Sequence, residues 1–219
     1  MAVAPVSRVI AGGTANTVTT VISDTTGANL LVCVASWYSI TATAANLTDS
    51  KSNSGWVLIA TYTGGAGYKV GILYCVPTSV GSSHTATFAG TGSYPSLDFR
   101  AYSGAHATPL DQESGAASTS PGSLTPSEDN CLIVCGRVSV SGTIPTIGSG
   151  FTNLDYTTYL ASNHMGGGGA DLIQTTAAAS NPAWSVADAC AQAIFKPAAA
   201  SGLVLPVAAH HYNMSRGVA

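Results

Sequence analysis

Five histidines, ten carboxylates and five cysteines give this 219-residue chain its means for proton transfer, metal binding or nucleophilic attack. The histidines are His84, His106, His164, His210 and His211; the acids are Asp24, Asp49, Asp98, Asp111, Glu113, Glu128, Asp129, Asp155, Asp171 and Asp188. Their spacing matches no H-E-x-x-H, G-x-S-x-G, P-loop or dinucleotide fingerprint. A β-sandwich hydrolase acting on glycosides would need two positioned carboxyl groups. The aspartates fall mostly at the ends of predicted strands or in turns, where Asp is favoured by local backbone hydrogen bonds. The sequence therefore predicts a protein that is not an enzyme, with no catalytic residues.

Metal chemistry fares no better. Asp49-Ser50-Lys51-Ser52-Asn53-Ser54-Gly55 places oxygen side chains like a calcium loop, but Lys51 stands where a ligand belongs and no later Glu closes the site. A β-turn is expected there, and a similarly plain role for Asp111, Gln112 and Glu113. Cys33, Cys75, Cys131, Cys135 and Cys190 sit in apolar, strand-like segments without a C-x-x-C pair. They read as buried small hydrophobes, the odd count leaving at least one thiol unpaired within a chain. Neither metal nor cofactor is expected.

Sugar rings stack on flat side chains, so exposed aromatics mark a saccharide surface. Trp37 and Trp56 lie in apolar strands and read as core. Tyr94 beside Pro95, and Tyr156 with Tyr159, lie nearer loops and are the candidate glycan contacts.

The elements that would position these residues are short runs of Val, Ile, Leu, Thr and aromatics separated by Gly, Asn, Asp, Ser and Pro. Strands are predicted over 15–22, 29–38, 56–62, 68–76, 84–88, 96–103, 130–140, 151–154, 171–176, 183–187 and 189–196. No segment keeps a 3.6-residue apolar period over three turns. Runs 30–36 (LLVCVAS) and 132–138 (LIVCGRV) are apolar on both faces, as central strands with a covered outer face should be. Residues 104–129 read as a long crossing connection with a short strand at 122–124, and 165–169 (MGGGG) as a flexible loop tip. The fold class is all-β: a two-sheet antiparallel sandwich or jelly roll over 1–196 with a C-terminal extended arm, 197–219.

An echo links 15–104 with 122–196. Asn29 before LLVC resembles Asn130-Cys131 before LIVC, residues 54–56 (SGW) resemble 149–151 (SGF), and 85–90 parallels 182–187. Either the sandwich is pseudo-repeated, or a Greek key reuses similar strand chemistry.

Charged residues make up 8% of the chain against roughly 25% in an ordinary globular protein, so the surface must be neutral and rich in hydroxyls. No basic stripe exists to track phosphates, which argues against a nucleic-acid partner. The net charge of −3 steers toward no charged partner. Mean hydropathy is positive, yet no apolar run approaches the length of a membrane span, so no membrane insertion is expected and apolar surface must be covered by other subunits. The opening residues MAVAPVSRVIAGG lack the basic and long apolar regions of a secretory signal, which fits a mature chain or release by lysis or assembly. In the tail, Leu203, Leu205, His210, His211, Tyr212 and Arg216 are the expected interface, with Tyr212 and Arg216 of types enriched at such places. Adjacent His210 and His211 point oppositely on an extended strand, so only one of them could join a metal site completed by a neighbour.

Gly27-Ala28-Asn29-Leu30-Leu31-Val32, Asp49-Ser50, Gly55-Trp56, Tyr74-Cys75, Tyr102-Ser103-Gly104 and Pro109-Leu110-Asp111 together resemble a class of tailed-phage and bacterial surface β-sandwich proteins over most of 15–196. The resemblance implies a structural role and no catalytic residues. The expected function is a virion structural protein, a capsid decoration or tail-associated subunit located on a virion or extracellular surface. Its partners would be other virion proteins or copies of itself in a homo-oligomer. The alternative is a carbohydrate-binding module or adhesin that contacts surface glycans.

Overall fold

The computed structural model describes residues 2–13, 16–89, 94–148, 150–161 and 163–199. Among these the strands are β1 (Ala4–Gly12), β2 (Thr17–Thr19), β3 (Leu30–Tyr38), β4 (Leu47–Asp49), β5 (Val57–Thr63), β6 (Tyr68–Cys75), β7 (Ala86–Ala89), β8 (Ser96–Ser103), β9 (Ala105–Ala116), β10 (Cys131–Ser139), β11 (Thr152–Tyr156), β12 (Gly166–Gln174) and β13 (Ala189–Pro197). All pairings are antiparallel, and the all-β sandwich expected from the sequence is what the chain forms. The tail residues Leu203, Leu205, His210, His211, Tyr212 and Arg216 lie outside the described residues.

Two five-stranded sheets pack face to face. One runs β1-β8-β3-β6-β5 and the other, from edge to edge, β9-β13-β10-β12-β11. Because side chains alternate along a strand, Leu30, Val32 and Val34 of β3 meet Leu132, Val134 and Val138 of β10 in the core between the sheets. The opposite face of β3, Leu31, Cys33, Ala35 and Trp37, is roofed by Val18, Leu47 and Phe88 of a small sheet ordered β2-β7-β4. On the far side, Cys131, Ile133 and Cys135 are covered by Phe151, Trp184 and loop residues including Leu124 and Ile147. Both β3 and β10 are thus buried on two faces, which is why neither shows alternation.

The two large sheets share one strand order. β3, β5, β6 and β8 occupy the places that β10, β11, β12 and β13 occupy in the second sheet, and β1 matches β9. Where the first half has β2-β7-β4, the second has bridges Leu124↔Ser180 and Ile147↔Trp184, formed by segments at corresponding points of the chain. The sheet borders correspond too: the Tyr62 phenol on β5 donates to Glu113 on β9, while Arg8 on β1 pairs with Asp155 on β11.

Several expectations are corrected. Residues 105–116 are not part of a connection but the longest strand, β9. An edge strand with one wet face needs few apolar residues and tolerates Pro109 beside a break in register. The MGGGG run is not a loop tip: residues 166–169 are buried in β12, between β10 and β11. A Cβ at Gly169 would lie 2.5 Å from Asp98 Oδ2, so the glycine makes room for a charged group of the facing sheet. Residues 183–187 form only the bridge at Trp184, while β1 and β4 lie outside the predicted runs. The expected strand at 122–124 is likewise reduced to the bridge at Leu124.

The halves join at a tight turn. Gly104 sits at φ +74°, and a Cβ there would run into the Ala2 carbonyl oxygen. Asn29 clamps the turn, its Nδ2 donating to Ala105 O (2.8 Å) and its Oδ1 accepting from Ala105 N (3.0 Å). Asn29 and Gly104 therefore serve the passage from β8 to β9.

Candidate functional site

Three constellations bring polar or aromatic side chains together. The first follows from the small sheet, which sets β4 beside β7 and bridges Ser23 to His84. His84 Nε2 lies 3.1 Å from Asp49 Oδ1 and Nδ1 lies 2.8 Å from Thr25 Oγ1. The order carboxylate, imidazole, hydroxyl is that of a nucleophilic triad. It is sealed: Thr25 and the side chains of His84 and Asp49 have no exposed area. The Thr25 hydroxyl is also occupied by Gly81, accepting from its N–H at 3.1 Å. Asp49 accepts in addition from Lys51 N, Asn53 Nδ2 and Trp56 Nε1 at 2.9–3.1 Å. A groove of about 520 Å³ runs beside Asp49, Asn53 and Trp56, but the carboxylate and amide on its wall are engaged internally. The 49–55 segment is thus a turn, closed by Ser52 N to Asp49 O at 3.1 Å, whose carboxylate ties the segment to His84, which in turn holds Thr25.

The second constellation spans the two large sheets. Asp98, Arg100 and Tyr102 alternate along β8 onto its inner face, opposite Gly169 and Asp171 of β12. Arg100 donates from Nε and Nη2 to Asp98 Oδ2 (3.0 and 2.7 Å), from Nη1 to Asp171 Oδ2 (3.1 Å) and from Nη2 to Gly169 O (2.6 Å). Tyr102 donates to Asp171 Oδ2 at 2.7 Å. Asp155 lies 3.8 Å from Arg100 and 2.8 Å from Arg8 at the rim. Burial pushes the Asp98 carboxyl up to about 6 against the pull of Arg100. Burial is the largest influence on Arg100 and works to lower it, but the charge of Asp98, its hydrogen bond, and the nearby Tyr102 and Asp171 together outweigh burial and hold the guanidinium protonated well above its ordinary range. Two arginines here face three aspartates, so burial and charge imbalance act together on Asp98. Nothing in the sequence flagged Asp98 or Arg100, although polar residues two apart in an otherwise apolar strand are the mark of a satisfied inner face.

The third lies at one end of the sandwich, where β3 ends and β6 and β12 begin. Tyr38 and Tyr68 sit opposite one another across β3 and β6, ring centroids 5.5 Å apart and tilted by 39°. With Tyr94, Tyr159 and the buried Met165 they line a cleft of about 110 Å³. All four tyrosines are half-buried. Met165 N donates to Tyr94 O at 2.8 Å, tying Tyr94 to the start of β12. Burial raises the Tyr68 phenol, and neighbouring Tyr159 and Tyr38 add to it. Of the expected glycan contacts, Tyr94 and Tyr159 are brought together. Tyr156 is not among them: its neighbour Asp155 faces the inter-sheet cluster, so Tyr156 projects from the other face of β11.

The remaining candidates have local tasks. His106 Nδ1 accepts from Thr108 N at 3.0 Å. Asp111 accepts from Ser127 N, and Gln112 donates to Thr125 O, anchoring the connection after β9. All five cysteines are buried free thiols, and burial raises each of them, Cys75 and Cys131 to about 11. Trp37 and Trp56 are core. Among the described residues no three His, Cys, Asp or Glu side chains gather as an ion-binding group. Compared with known proteins, the chain matches no family model, no curated protein and no solved structure.

Proposed function

We propose that the protein is a non-enzymatic structural subunit of a virion, a capsid decoration or tail-associated protein that works through contacts with other virion proteins or copies of itself. The observation that carries this reading is the internal use of its polar chemistry. The Asp49–His84 and Asp98–Arg100–Asp171 groups are buried and hold loops and sheets together, so they offer nothing to a substrate. What faces outward is hydroxyl-rich and carries apolar residues: Val21 and Ile22, adjacent in the chain, are 64% and 67% exposed. Such positions contribute most when another subunit covers them. The chain is read as one sandwich of two related halves, supported by their common strand order, followed by an arm that engages the particle. Removing residues 200–219 leaves β13 whole and tests the arm. The truncated chain should fold with an unchanged melting temperature yet fail to enter particles, whereas full incorporation would contradict its role.

A further inference from the structure

We propose that the tyrosine cleft at the end of the sandwich binds a neutral saccharide, taking one pyranose ring or the terminal residue of a longer glycan. Four rings converge there from distant parts of the chain, two on paired strands and two on loops. The strand-borne pair, Tyr38 and Tyr68, is fixed by the β3–β6 ladder. Tyr94 is held in the left-handed region at φ +51°, rare for a residue with a side chain, with its carbonyl tied to Met165. Backbone of this kind persists where surroundings over-determine it, as binding sites do. The rings are therefore set before a ligand arrives, which lowers the cost of binding.

The lining selects the ligand. Among the described residues nothing hydrogen-bonds the phenol hydroxyls of Tyr38, Tyr68, Tyr94 and Tyr159, each of which can donate and accept. A wholly apolar occupant would strip water from these groups and return no hydrogen bond. Among the described residues no lysine or arginine lines the cleft to receive an anion, and the carboxylate of Asp188 acts on Tyr68. Flat aromatic faces interleaved with uncharged hydroxyls suit a molecule that alternates C–H faces with hydroxyls, as a neutral sugar does. A volume of about 110 Å³ admits a ring or part of one, and so selects chain ends. Aromatic residues also seal sandwich ends, but sealing needs the ring and not the hydroxyl.

The test uses the full chain on an array of neutral and acidic glycans, followed by calorimetric titration of any neutral glycan retained. At least one neutral glycan should bind; Tyr94→Ala should weaken it about tenfold or more, and Tyr159→Phe by a smaller but measurable factor. Tyr156→Ala should leave it unchanged. The Phe variant keeps the packing, so its melting temperature should match the parent and separate lost hydrogen bonding from lost fold. Binding to no neutral glycan, to acidic glycans only, or with full strength in a Tyr94→Ala/Tyr159→Ala double variant would overturn the proposal. None of these outcomes bears on particle incorporation, which tests the structural role separately.

Discussion

Arg100 on β8 and Asp171 on β12 join the two large sheets through the core, Nη1 to Oδ2 at 3.1 Å, where an apolar pair would ordinarily stand. Asp98 shares the same guanidinium, and its Oδ1 finds no partner among the described residues. One arginine thus serves two buried carboxylates, and only one of the two is needed to balance it.

The pH dependence follows. Asp98 titrates near 6 when folded against about 3.9 when unfolded. Between those values the folded chain keeps a proton that the unfolded chain has lost, so this group favours folding more as pH falls from 7 to 4. Asp98→Asn should keep the bonds to Arg100 through its amide oxygen, flatten the pH profile and raise stability at pH 7.5 by about 1–2 kcal/mol. Urea unfolding between pH 4.5 and 7.5 measures both. A variant that is less stable at pH 7.5 with an unaltered slope would contradict this.

Gly169 should tolerate no side chain. A Cβ there meets Asp98 Oδ2 at 2.5 Å and Val34 Cγ2 at 3.2 Å, so Gly169→Ala is expected to cost about 1–3 kcal/mol. Gly65 has open space where a methyl group would stand, with no atom within 4 Å, and Gly65→Ala should stay within about 0.5 kcal/mol of the parent. Thermal unfolding of the two variants side by side checks the contrast.

His84→Phe keeps a ring against Phe99 but leaves Asp49 and Thr25 without their shared partner. The expected loss is about 2–3 kcal/mol. Hydrogen exchange should speed up around residues 24–27 and 81–85, and an unchanged exchange pattern would show that the triad-like array is not a staple.

Thiol labelling should be slow. With five buried, protonated cysteines, a disulfide-exchange reagent should count no rapidly reacting thiol in the folded chain and five after denaturation. One fast stoichiometric thiol would place a cysteine at the surface.

Much of the fold was legible because burial on two faces writes itself into a strand: LLVCVAS and LIVCGRV became β3 and β10. Trp56 and Phe151, paired by the echo between halves, each lead into a corresponding strand and fill an outer core. β9 and the glycine half of β12 were not legible, one because an edge strand stays polar, the other because its glycines answer to residues distant in the chain, Gly169 to Asp98 and Gly167 to Ser96, about 70 residues away in the facing sheet, information no local window contains; only 171–174 of β12 fell in a predicted strand. The same distance hid the cleft. Tyr94 and Tyr159 stood out as loop aromatics, but their meeting with Tyr38 and Tyr68 depends on how the sheets stack.

The structural role is tested most directly by quantitative mass spectrometry of purified particles from the source that encodes the chain. It should appear in a fixed copy ratio to the principal shell or tail protein, retained through repeated gradient purification. Its absence from clean particles, or a ratio that falls with each round, would contradict the proposal.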